Sequence, residues 1–409
     1  MSNIFISNNK VKNMKYIILS ILLYGLLFEN IFERYIPILG KVDEIVGVLI
    51  ILLGLFSIIR GKGISVVYKN SYKILLSMTI FVVIGLVGNF IFRYQYTYFA
   101  LKDIFTFRGL FAYAMLPIVF DDFKLEDYIT IINKNLRFIT VVLFTMTIFN
   151  LILDVFPYYE IRFGIKSQQI IFTHPTYLAA TSIMVICMLS AFIKEERKNY
   201  IYIFMMYIVV LLTLRTKAII FLLGHVYLFI IVSVKKRKLN KFDFIIIGIV
   251  AIGFSINQVS EYLRNPEWAR SAMLINSFDI AKSSFPFGSG FGTFGSWVSG
   301  VNYSPLYFNY DMYTTWGLAP DYYNFVSDNF WPMVIAQCGF IGLALIIYTI
   351  YIVYKDIKNN DNLYMYFGQM SVLIYLLSAS IGEASFAGQY SVIAFIIIGL
   401  LNKYNRRTI

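Results

Sequence analysis

The chain has 409 residues, 59% hydrophobic and only 14% charged, with mean hydropathy +0.69 and a formal net charge of +12. A soluble domain carries about 25% charged residues and at most ~50% apolar ones, so this composition excludes one and indicates a chain that lives in a membrane. Two cysteines, Cys187 and Cys338, both in apolar runs, and two histidines, His174 and His225, are too few for a disulfide framework or a usual metal centre.

Apolar runs lie near Tyr16–Phe32, Ile45–Ile59, Ile74–Phe92, Ile104–Phe120, Phe138–Phe156 and Pro175–Ile193, then Tyr200–Leu214, Ala218–Val234, Phe242–Ile256, Pro332–Tyr354, Leu363–Ile381 and Ala387–Leu401. None alternates as a strand would, so helices rather than a barrel satisfy the backbone in lipid. The first run follows Lys10, Lys12 and Lys15 with no small-residue cleavage site after it, and reads as an anchor rather than a signal peptide. The expected fold is an all-α polytopic integral membrane protein with about twelve transmembrane helices and one long external loop. Residues 1–256 form a bundle of about nine spans, 257–329 the loop, and 330–409 about three more spans.

Lys and Arg alternate between the connections. The set that includes both termini, Arg60–Lys73, Asp121–Arg137, Lys194–Lys198, Lys235–Lys241 and Lys355–Asn362 holds about 23 of 35. The positive-inside rule makes that set cytoplasmic and residues 257–329 external, in a multi-pass protein of the bacterial cytoplasmic membrane. Topology thus accounts for most of the positive charge, and no nucleic-acid partner is expected.

The cations left on the external side are the informative ones. Lys102, Arg162, Lys166, Arg264 and Arg270 fit the plain role of snorkelling or interface residues. Arg108 and Arg215 are pinned at span ends, the latter with Lys217 in a break between two apolar runs; ionisable groups at such depth usually face a polar cavity, and arginine suits phosphate through its planar fork.

The loop holds Phe285-Pro-Phe-Gly-Ser-Gly-Phe-Gly-Thr-Phe-Gly295, about thirty residues rich in Tyr and Trp, then Ser327-Asp328-Asn329 before a span carrying Gly339-Phe-Ile-Gly342. Gly288, Gly290 and Gly292 permit close approach of a ligand to backbone, or a plain series of turns. No βαβ unit surrounds them, which argues against a dinucleotide site. Asp328 reads as a general base or as a helix N-cap with its neighbours. No cytoplasmic segment is long enough for a nucleotide-binding domain. Any chemistry therefore uses a substrate already activated and already in the membrane, and no cofactor is expected. Arginines for a diphosphate, rings for sugar faces and a carboxylate for proton abstraction form a coherent set.

The Gly-x-Gly-x-Gly stretch, the variable loop and the polar motif before a Gly-x-x-Gly span resemble the O-antigen polymerase and O-antigen ligase superfamily. Leu212-Thr-Leu-Arg-Thr-Lys217 is similar to its Ser-Arg segment, and Phe172-Thr-His-Pro175 to its His/Asn-Pro element. The likeness covers roughly residues 172–345. Leu214 stands where the family has serine, and Asp328-Asn329 where its ligases often have His-Asn. The resemblance implies a capsule- or O-antigen-type polysaccharide polymerase, a glycosyltransferase moving a glycan from a polyprenyl (undecaprenyl) diphosphate carrier onto a lipid-linked repeat unit. Asp328 and Arg215 would be catalytic. Among the external cations Arg108, Lys217, Arg264 and Arg270 would bind substrate, and His174, Gly288, Gly290, Gly292 and Asn329, within the resembling stretch, would join them. The implied partners are the polyprenyl diphosphate-linked oligosaccharide, membrane lipid and a chain-length regulator. The alternatives are a ligase, and a lipid-linked oligosaccharide flippase or other transporter, although transporters tend to show paired repeats that are not visible here.

Overall fold

The structure, a computed structural model, describes residues 20–61, 69–121, 123–265 and 267–404. The chain is mostly helical, 72%, and its apolar helices are compatible with an all-α membrane protein. In order they are α1 (20–35), α2 (Val42–Ile59), α3 (Lys69–Phe92), α4 (Thr97–Ile104), α5 (Arg108–Val119), α6 (Ile129–Leu153), α7 (Pro175–Ala191), α8 (Asn199–Leu212) and α9 (Thr216–Phe229). After them come α10 (Lys241–Arg264), α11 (Ala269–Ser283), α12 (Trp297–Val301), α13 (Pro305–Asn309), α14 (Phe330–Lys358), α15 (Leu363–Ala379) and α16 (Gln389–Leu401). A hairpin of β1 (Tyr158–Arg162) and β2 (Ile165–Gln168) interrupts the helices.

Among the described residues five segments are long and apolar enough to cross a bilayer: Pro37–Ile59, Lys69–Phe92, Ile129–Leu153, Thr216–Val234 and Phe330–Lys358. Four apolar helices are shorter, namely α7, α8, α15 and α16, with 17, 14, 17 and 13 residues. At 1.5 Å per residue they reach only about 20–26 Å, against a hydrocarbon core of about 30 Å. Residues 16–19 of the first expected span lie outside the described residues. The span expected at Ile104–Phe120 is the 12-residue α5, preceded by α4 and one 3-10 turn.

The two sets of connections gather at opposite ends of the bundle. At one end Arg137 reaches Glu196 at 2.8 Å, Lys238 Nζ donates to the Lys358 carbonyl at 2.7 Å, and Lys403 Nζ to that of Pro117 at 2.9 Å. The long segment before α14 closes the other end, here termed the loop face. Both cysteines are buried and unbridged.

Residues 257–329 are not one irregular loop. Helix α10 continues to Arg264, α11 packs along α14, and the glycine run then returns between α3 and α14. The run is accommodated by a break in α14 at Gly339, where φ is +64°. The break frees carbonyls that the run satisfies: Ser289 N donates to Ala336 O and Gly290 N to Gln337 O, both at 2.9 Å. Non-helical backbone deep in a membrane protein is tolerated only when its polar groups are paired inside the protein. The remaining groups find side chains. Asn89 clasps Phe291 from both sides (2.7 and 2.9 Å), Asp103 accepts from Gly292 N at 2.7 Å, and Gln337 donates to Phe294 O at 2.7 Å. Gly290, at φ +98°, would place a Cβ 2.5 Å from Asn89 N, and one at Gly88 would meet Gly288 O at 2.5 Å. Such overpacking costs about 1–3 kcal/mol, so glycine is required by contact between backbones.

Beyond the run, residues 297–328 form a small folded cap whose Leu306, Tyr307, Leu318 and Val326 share a core with Met273 of α11 and Phe294 of the run. The capping box of Ser296 and Ser299 starts α12, and Ser304 caps α13.

Candidate functional site

On the loop face the ends of the four short apolar helices meet the hairpin and the start of α11. Arg215 is the N-cap residue of α9, after Leu214 in the left-handed region (φ +54°) that turns the chain between α8 and α9. Its guanidinium lies 4.8 Å over the Tyr159 ring, and Nη1 is 3.2 Å from the Glu160 carboxylate. Arg162 Nε reaches the same carboxylate at 3.0 Å. Burial lowers the Arg215 pKa, against the pull of Glu160. Its Nε and Nη2 are buried and find no acceptor among the described residues. Such a donor costs about 1–3 kcal/mol unless something accepts its hydrogen bond.

His174 caps α7: its Nδ1 accepts from Thr176 N at 3.2 Å, while Tyr159 meets the ring edge-on at 4.4 Å. Burial, aided by Arg215 and Lys217, holds its pKa down at about 4. The neutral ring therefore carries its proton on Nε2 and is a hydrogen-bond donor rather than a base. At the second position of α9, Lys217 pairs with Glu383 from the α15–α16 connection and also lies within the fields of Arg270, Asp328 and Arg215.

Arg270, at the start of α11, donates from Nη2 to Asp328 at 2.9 Å. Burial raises the Asp328 pKa, partly offset by Arg270 and Lys217. Asp328 is not a helix cap. Asn329 holds the N-cap position of α14 and makes no side-chain cap bond; its amide, oriented nitrogen-first, reaches the Ile381 carbonyl at 3.2 Å. Arg270 and Asp328 also line a cavity of about 510 Å³ together with Glu267, Trp268, Ala269, Trp316 and Phe325.

The structure thus brings Arg215, Lys217, His174, Arg270, Asp328 and Asn329 to one end of the bundle. Four cations (Arg162, Arg215, Lys217, Arg270) face three carboxylates (Glu160, Asp328, Glu383), a formal excess of one positive charge. Arg108 lies elsewhere. It is buried in an ion pair with Asp43 of α2 and donates to Phe105 O at 2.9 Å, so it joins α2 to α5. Removing one partner of such a pair costs about 3–5 kcal/mol, a structural role rather than a binding one. Gly288, Gly290 and Gly292 are taken up by packing on α3, α4 and α14. The Arg264 side chain lies outside the described residues.

Sequence reasoning passed over Tyr159, Glu160 and Glu383. Glu383 had a signal, as the one acidic residue between Asp361 and the end of the chain, placed between two apolar runs. Glu160 had none, because only the hairpin brings it to Arg215. Compared with models of known protein families and with curated proteins, the chain matches none.

Proposed function

We propose that the chain is a membrane glycan polymerase. It transfers a growing glycan from a polyprenyl diphosphate carrier to a lipid-linked repeat unit at the external face of the cytoplasmic membrane. The observation that carries this reading is the gathering of Arg270 and Lys217 on Asp328, with Arg215 beside Lys217, from segments far apart in sequence, at the ends of short apolar helices. A lipid-linked diphosphate presents its charge at that level of a bilayer, and arginine binds it in bidentate fashion. The diphosphate is its own leaving group. The protein need only position it, offset the charge that develops on it, and take the acceptor hydroxyl proton through Asp328. His174, neutral and donating, adds a hydrogen bond to the anion.

Two measurements test the reading. Full-length protein in vesicles supplied with lipid-linked repeat units is expected to yield a ladder of longer lipid-linked chains. Movement of repeat units across the bilayer with no ladder would instead identify a transporter. Topology is tested by single cysteines at the exposed Asn309 and Asn240. An impermeant maleimide on intact cells is expected to label Asn309→Cys and not Asn240→Cys. The reverse pattern would put the site on the cytoplasmic side and sink the mechanism.

A further inference from the structure

The cavity beside Asp328 differs in chemistry from the arginine cluster next to it. Its walls are flat rings: Trp316 is 70% exposed and Trp268 42%, and Phe325 meets Trp316 at 4.9 Å between centroids. This wall is built into the backbone. Phe325 N donates to Gly317 O at 3.0 Å, and Gly317, at φ +85°, leaves room where a Cβ would lie 2.1 Å from the Phe325 ring. Its charged groups are two carboxylates, Glu267 and Asp328, against one guanidinium, Arg270, already bonded to Asp328. The formal charge is therefore −1, which disfavours a phosphate, whereas the adjoining cluster carries the opposite excess. The volume falls within the range of about 300–1,000 Å³ usual for small-ligand sites.

We infer that this cavity is a subsite for an uncharged pyranose ring, stacked by its C–H face on Trp316 with its edge against Phe325, which stands at 69° to the indole, and with its hydroxyls donating to Glu267 and Asp328. The inference rests on the polymerase reading for which sugar arrives there, the one next to the transferred bond. The charge difference between neighbouring sites also fixes polarity, with the diphosphate toward Arg215 and the sugars toward Trp316. Lys217, between the two, feels the charges of both sides. Placing a hydroxyl against Asp328 is what the proton transfer requires.

The test uses the full chain in vesicles, with initial rates measured against the concentration of lipid-linked repeat unit. Because Trp316 is largely exposed, its replacement leaves the cap core intact. Trp316→Leu, apolar but not flat, is expected to raise KM roughly tenfold with kcat near that of the starting protein, while Trp316→Phe stays within a few-fold. An unchanged KM in Trp316→Leu overturns the subsite. If even the unaltered protein makes no polymer, the polymerase reading fails, and binding decides the subsite separately. The repeat oligosaccharide released from its carrier must then bind the unaltered protein and bind Trp316→Leu about tenfold more weakly. Equal binding to both, or binding to neither, overturns it. So does inorganic diphosphate that quenches the unaltered protein but not Trp316→Phe, since that places the anion in the cavity.

Discussion

Arg215→Ala is expected to abolish the polymer ladder while leaving the amount of protein in the membrane unchanged. Loss of one preorganised donor to developing charge costs about 10²–10³ in rate, or about 2.7–4 kcal/mol, and Arg215 offers two donors with no acceptor of their own. Arg215→Lys is expected to lose most of that as well. A lysine keeps the charge but not the plane that lies over Tyr159 or the fork that meets two oxygens together. A purely structural role predicts something else: if Arg215 only anchors the hairpin through Glu160, then Glu160→Gln should do as much harm as Arg215→Ala. Glu160→Gln is expected instead to retain activity, because it removes an internal anion that competes for the guanidinium. Normal ladders from a well-expressed Arg215→Ala protein would remove the residue from the site.

Asp328→Asn is expected to stop chain extension, with single lipid-linked repeat units accumulating and folded protein at its normal level. The amide preserves the shape and can still meet Arg270, but it cannot take a proton. Since Asp328 caps no helix, the Asn variant has no fold-level reason to fail. The same assignment fixes a pH dependence. Burial raises this carboxyl's pKa, and the base is active only when ionised, so activity is expected to fall as pH drops through that raised pKa. Arg270 pulls the pKa down, so Arg270→Gln is expected to move the acid limb of the profile to higher pH. A rate profile that does not move in Arg270→Gln, or an active Asp328→Asn, would assign proton abstraction to another group. Glu383 is then the next carboxylate to substitute.

Hydropathy locates α3, α6 and α14, helices of 24, 25 and 29 residues, because each holds a long apolar run with its Lys, Arg and Asp residues outside that run. The re-entrant course of α11 and the glycine run is not legible in the same way. A segment with Ser, Asp and Lys reads as loop, and only the carbonyls freed at Gly339, with the side chains of Asn89, Asp103 and Gln337, explain why its backbone can lie between helices. Glycine spacing is visible in sequence but its purpose is not: the same residues serve a ligand or, as here, contact between two backbones. Arg108 and Arg215 look alike by position at a span end. What separates them is the partner, Asp43 from a neighbouring helix against Glu160 on a hairpin, and no local pattern encodes either.

The four short helices have a mechanical consequence for the surrounding lipid. Of the four, α8 turns Ile201, Phe204 and Leu211 outward, and where it borders the bilayer the apolar layer must thin by several ångströms to match its length of about 21 Å, at a fraction of a kcal/mol per Å of mismatch. In the proposed orientation that thinning would draw the phosphate layer of the leaflet on the loop face toward Arg215 and Lys217, which follow the end of α8. A headgroup arriving sideways within that thinned layer need not climb out of the membrane to reach the guanidinium.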